Sequence, residues 1–327
     1  MDIFTHLLMG TLACFPLLGK VSPVAIILLW VMSVSPDLDI FLEPLQKIRK
    51  MYFLSHKAAS HSYIVGLLLT GLISLIISIL SSIAFFEIWI AGFIGYSIHI
   101  SLDFFTASKV PVFYPFSKKE FRILADRAIN PILGLFSGIN LMTLLLSYYI
   151  NPDYYFFMNL TSFYLYVYLI LFGFRALLRL MIQIRSPEGS HYIPGFIPIF
   201  YLILEKKESE KKSTFRLFKR SIFSTKKEEL LSTQILKNSN EMFFFEKTIE
   251  VSRDYRFFHK WNAIFPFFKE NDELINVILI LAESYSRMSS HFLSVVFNKK
   301  TNHIVSKKNG FSRHKEWKNK ELLGKSL

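Results

Sequence analysis

The chain has 327 residues, a formal net charge of +13, 52% hydrophobic and only 19% charged residues, and a mean hydropathy of +0.35. Such a composition, with 34 phenylalanines, excludes an ordinary water-soluble globular domain and points to a membrane protein. The single cysteine, Cys14, excludes an internal disulfide framework and a multi-thiolate metal site, leaving nitrogen and oxygen ligands for any ion.

Charge divides the chain in two. Residues 1–185 hold 13 Lys+Arg against 9 Asp+Glu (+4), and residues 186–327 hold 25 against 16 (+9). The first part predicts a multi-pass α-helical membrane domain of about six helices, over Ile3–Leu18, Ser22–Ser35, Tyr63–Phe86, Ile88–Thr106, Ile129–Tyr149 and Tyr155–Gln183. The first two are short, and the second has the length of a tilted or re-entrant segment. Asp2 and His6 stand where a cleaved signal would need basic residues, so the first helix is expected to be retained. Lys47, Arg49, Lys50 and Lys57 fall in one loop, Lys109, Lys118, Lys119, Arg122 and Arg127 in another, and Arg175, Arg179 and Arg185 close the sixth helix, whereas the opposite loops offer only Lys20. The positive-inside rule then predicts an inner-membrane protein with both termini and both basic loops in the cytoplasm.

Residues 186–327 predict a smaller cytoplasmic α+β domain. YLILEKKESEKKSTFRLFKRSIF and HFLSVVFNKKTNHIVSKK each place a polar turn between two strand-like runs, as β-hairpins do. KEELLSTQILK and DYRFFHKWNAIFPFF between them read as helical or amphipathic. The basic surplus suits anionic lipid headgroups, nucleic acid or a protein partner. His191, His259, His291, His303 and His314 show no ligand spacing.

The chemistry-bearing residues lie in the first part. His6 is in the first turn of helix one, Asp37 and Asp39 (SPDLD) end helix two, His56 and His61 (SHKAASHS) precede helix three, and His99 and Asp103 (GYSIHISLD) lie near the end of helix four. Each has a bland reading: an interfacial histidine, a helix stop, a cap, or a His/Asp pair one turn apart that satisfies itself. Together, however, the predicted topology puts all seven at one membrane face, where ionisable groups are retained only with partners. Two aspartates two apart in a turn can project to one side, and an i, i+4 His/Asp pair projects a nitrogen and an oxygen from one helix. Nitrogen and oxygen donors of these types suit Zn²⁺, Mn²⁺ or Fe²⁺; the number of ligands allows two ions, or one ion with supporting aspartates.

THLLMG at 5–10, SPDLDIF at 35–41, SHKAASHS at 55–62, GYSIHISLDFFTASKVPVFYPFSKKEFRI at 95–123 and the NP at 130–131 resemble, in order and spacing, the YdjM-like family of membrane-bound metal-dependent hydrolases, also labelled LexA-binding inner-membrane proteins. The resemblance covers about residues 1–135 and implies His6, Asp37, Asp39, His56, His61, His99 and Asp103 as metal-site residues, with Asp39 or Asp103 also holding the attacking water or orienting a histidine. The family is similar to zinc-dependent phospholipase C and single-strand nucleases, which implies phosphoester hydrolysis, with membrane lipids as surroundings and a phospholipid-like molecule as substrate. Three positions depart from the family pattern: Lys57 stands for Arg, Ser60 for Thr and Asn130 for a frequent Asp, the last removing an oxygen ligand unless Asp126 supplies it. A transporter or a non-catalytic membrane scaffold is the alternative. A transporter would place ionisable residues near mid-membrane on broken helices in repeated halves, and no repeat is found.

Overall fold

The computed structural model describes residues 1–47, 52, 56–150, 153–255, 257–258, 261, 263–286 and 289–313. Arg49, Lys50, His259 and His314 lie outside the described residues. The chain forms two compact units, Met1–Leu178 and Arg179–Leu327.

The first unit is helical: α1 (Ile3–Cys14), α2 (Pro23–Met32), α3 (Tyr63–Ser81), α4 (Phe85–Phe105), α5 (Pro131–Ile150) and α6 (Tyr154–Arg185, which runs into the second unit). Six helices stand near the expected positions, but the number able to cross a membrane is smaller. Among the described residues four, α3 to α6, are long and apolar enough, or five if α2 and the segment after it form one bent span. Geometry is the reason: α1 has 12 residues, which rise about 18 Å against a hydrocarbon core of about 30 Å. Helix α2 stops at Met32, four residues before Pro36, whose ring would clash with that carbonyl. The chain bends by 51° and continues as a 3-10 segment, Ser35–Lys47. Large apolar side chains on α3 such as Leu68, Leu72, Ile79 and Leu80 point outward, as a span facing hydrocarbon requires.

Small residues bring these helices together. A Cβ on Gly95 of α4 would lie 2.0 Å from the Leu29 carbonyl oxygen of α2, and one on Gly66 of α3 would lie 2.3 Å from the Tyr96 ring of α4. On α1, Asp2 caps the helix by accepting the Thr5 N–H at 2.9 Å, while the Thr5 hydroxyl meets Ser137 of α5 at 2.9 Å and Ser137 meets the Tyr168 hydroxyl of α6 at 2.9 Å. This buried chain of hydroxyls fixes the face of α1 that carries His6.

The second unit holds two four-stranded antiparallel sheets, β1 (Ser190–Pro194), β2 (Phe200–Glu208), β3 (Lys212–Ser221) and β4 (Ser224–Leu236), then β5 (Ile264–Glu270), β6 (Leu274–Leu281), β7 (Ser289–Asn298) and β8 (Ile304–Arg313), each in sequential order. Both expected hairpins are present as β2–β3 and β7–β8. In the latter Asn298 accepts from the Lys300 and Thr301 backbone, and Asn302 takes a positive φ. KEELLSTQILK, expected to be helical or amphipathic, lies in β4, and the last residues of DYRFFHKWNAIFPFF enter β5. For β4, pairing along β3 overrides the helix preference of its Glu, Leu and Lys residues. The helix between the sheets is instead α7 (Asn240–Ser252), capped by Ser239, with Phe244 packed on Val277, Leu293 and Phe297 of the second sheet.

His291 on β7 is 4% exposed, its ring sits among Phe257, Phe258 and Phe311, and neither ring nitrogen hydrogen-bonds among the described residues. Burial pushes its pKa down to about 4. Because the folded value lies below the unfolded one of about 6.5, the unfolded chain takes up the proton first as pH falls. The histidine's contribution is therefore intact above about pH 6.5 and lost on the way to about pH 4, a loss on the order of 1 kcal/mol once partial hydration of the ring is allowed for. Thermal melts of the full-length protein from pH 7 to pH 4 should show this slope, and His291→Leu should flatten it.

Candidate metal centre

The SPDLD segment, the SHKAASHS turn and the end of α4 meet at one place. Asp37 and Asp39 come from the 3-10 segment after α2, His61 from a 3-10 turn (Ala59–His61) leading into α3, and His99 and Asp103 from one face of α4, one turn apart. One ligand atom from each of Asp37, His61, His99 and Asp103 lies within 4.8 Å of the others. The His61 and His99 Nε2 atoms face each other at 3.3 Å; Asp37 Oδ1 is 3.4 Å from the first and 3.5 Å from the second, and Asp103 Oδ2 is 3.1 Å from His61 Nε2. His61, His99 and Asp103 are fully buried, while the Asp37 side chain keeps 26% exposure and gives the group its access to solvent.

Each histidine is held from behind. His99 Nδ1 is 2.9 Å from the Ser33 carbonyl, which accepts its proton and turns Nε2 toward the group. His61 Nδ1 lies 3.4 Å from Asp39 Oδ2 and 3.0 Å from the Ser60 hydroxyl. Asp39 also accepts the Lys57 N–H at 2.9 Å, the Ser60 hydroxyl, and a contact from His56 Nδ1, so one carboxylate fixes the whole turn. Tyr96 of α4 donates to the Ser60 carbonyl from the other side. Burial alone would favour a neutral His61, but the Asp103, Asp37 and Asp39 carboxylates outweigh it and push the pKa up to about 9.

His6 is fully buried against the group, its ring stacked on His99 with centroids 3.9 Å apart and its Nε2 3.6 Å from Asp103 Oδ1. The structure thus gathers Asp37, His61, His99 and Asp103 into one cluster, sets His6 beside it, and puts Asp39 and His56 behind His61. The two aspartates both reach the His61 ring, Asp37 at Nε2 and Asp39 at Nδ1, each at 3.4 Å. Asp126 and Asn130 form a separate network: Asp126 Oδ1 accepts from Arg175 at 2.8 Å, the Arg127 N–H at 2.7 Å and Asn130 at 3.0 Å.

Sequence reasoning passed over Ser33 and Tyr96 as members of the site. Ser33 acts through its carbonyl, which no side-chain pattern reveals, but Tyr96 stands beside Gly95 in the same GYSIH stretch that carries His99.

Both ring nitrogens of His6 and Asp37 Oδ1 are buried without a hydrogen bond among the described residues, while Asp103 Oδ2 is met by the Lys57 ammonium at 2.7 Å. Unpaired buried polar atoms are costly and uncommon in folded proteins. With two imidazoles and two carboxylates, the cluster could hold a metal ion, and the donor set suits a divalent transition metal.

No curated protein and no solved structure matches the chain. The profile of the YdjM inner membrane protein family matches residues 1–178, the whole of the helical unit and more than half of the chain. The chain belongs to that family and is a membrane protein.

Proposed function

We propose that this family member is a metal-dependent hydrolase, with a phosphoester in or near the lipid headgroup layer as its substrate. The observation that carries the reading is the convergence of Asp37 and Asp103 carboxylates on the facing Nε2 atoms of His61 and His99, with buried His6 and Asp37 atoms left without a hydrogen bond. Asp37, His61, His99 and Asp103 would hold the ion, with zinc favoured over manganese or iron and with one or two ions accommodated. Held by these residues, a divalent ion would supply Lewis acidity toward a bound water and a phosphoryl oxygen. Asp39 is a positioning residue that orients His61 through Nδ1, Ser33 positions His99, and Asp37 sits at the exposed edge where a substrate enters. The cluster lies before the start of α3 and near the end of α4, at the ends of spans, which favours headgroup-level chemistry over transport through the membrane. Lys57, Lys109, Lys118, Lys119, Arg122 and Arg127 flank the same ends, so we assign this face to the cytoplasm together with both termini.

The test is a panel of bis-p-nitrophenyl phosphate and phospholipids offered to the full-length protein in detergent, loaded with Zn²⁺, Mn²⁺ or Fe²⁺ or stripped by a chelator. Hydrolysis that appears with metal and disappears with Asp37→Ala is the expected result. A metal-loaded protein inert toward every phosphoester would refute the hydrolase reading.

A further inference from the structure

Lys57 occupies an unusual place for a lysine. Its backbone takes a φ of +56°, a left-handed conformation that L side chains rarely adopt, and its N–H is clamped by Asp39. That turn carries the side chain inward, where it is 13% exposed and its Nζ lies 2.7 Å from Asp103 Oδ2. The same oxygen faces His61 Nε2 at 3.1 Å and belongs to the four-atom group. The amino group of Met1 is on the other oxygen, Oδ1.

A cation and a divalent ion cannot share Asp103 Oδ2 at low cost. A ligand bond is about 2 Å long, so an ion on that oxygen would lie within about 5 Å of Nζ, and like charges at that separation in a buried site repel strongly. The neighbouring His56 and Asp37 side chains keep 19% and 26% exposure, and Lys57 carries its ammonium on a flexible four-carbon stem.

We propose that Lys57 is the resident counter-cation of Asp103, that a divalent ion displaces its ammonium from Oδ2, and that the displaced ammonium then binds the phosphate-type anion of the substrate. This inference rests on the metal reading above. It makes Lys57 a brake on metal loading that becomes a recognition group once loading is complete. An arginine here would keep the charge, whereas an uncharged residue would lose both functions.

The test uses full-length protein in detergent as wild type, Lys57→Met and Lys57→Arg, with helicity checked by circular dichroism. Zn²⁺ affinity is measured by competition with a chelator, and inorganic phosphate binding to the Zn²⁺-loaded protein by calorimetry. Lys57→Met should bind Zn²⁺ about tenfold more tightly and phosphate about tenfold more weakly, with Lys57→Arg close to wild type in both. Equal or weaker Zn²⁺ binding by a folded Lys57→Met overturns the displacement, and unchanged phosphate binding overturns the recognition role. Absence of Zn²⁺ binding in both wild type and Lys57→Met overturns the metal reading and this inference with it.

Discussion

His61→Ala should leave the full-length protein inserted and helical but reduce its metal binding to background, with affinity lowered by at least about a hundredfold and the proposed hydrolysis abolished. The size follows from position. His61 contributes the Nε2 that faces His99, Asp37 and Asp103 at once, so its removal opens the group on three sides. Losing a partner that only orients a metal ligand already costs about ten- to a hundredfold in affinity, and His61 belongs to the four-residue group that could hold the ion itself. His56→Ala provides the graded comparison. It touches Asp39 and stands outside the four-atom group, so its loss should lower affinity by only about tenfold. Metal content by plasma mass spectrometry and chelator competition measure both. Equal effects of the two substitutions would contradict the layered arrangement of Asp39 and His56 behind His61.

Gly95→Val should be nearly as damaging without touching any candidate ligand. The added Cβ would meet the Leu29 carbonyl oxygen at 2.0 Å and its carbon at 2.9 Å, and because both belong to the α2 backbone, only a separation of α2 from α4 relieves the clash. One turn further along both helices, the Ser33 carbonyl accepts from His99 Nδ1 at 2.9 Å, so the same separation releases the histidine. Overpacking of this kind costs about 3 kcal/mol, and the loss of the Ser33 contact should lower metal affinity by about tenfold. Gly173 of α6 is the control, since a Cβ there meets nothing within 4 Å, so Gly173→Ala should not lower stability and should leave metal affinity unchanged. Thermal melts and metal titration of the two variants side by side check the expectation.

The seven His and Asp positions stand out in the sequence because each is costly in an apolar segment, and they recur where span ends meet. Their individual placement was not legible. Asp37 and Asp39 look equivalent in SPDLD, and only the fold brings one to Nε2 and the other to Nδ1 of His61. The stop at Pro36 could be read, yet the short rise of α1 and the bend after α2 leave four or five of the expected six segments long and apolar enough to span, among the described residues. In the second unit, hairpins with polar turns announce themselves, whereas β4 is set by its partner β3 against its own composition. In helix α7 only the Ser239 cap is legible in the sequence, because the face buried at four-residue steps carries Thr248 and Ser252 beside Phe244 rather than an apolar stripe.

X-ray absorption at the metal edge of the purified, metal-loaded protein tests the central claim most directly. Coordination by His61, His99, Asp37 and Asp103 should give a nitrogen and oxygen shell at about 2.0–2.2 Å with the outer-shell scattering of imidazole rings. A spectrum of a hydrated ion without imidazole scattering, or a folded protein that retains no metal at all, would contradict it.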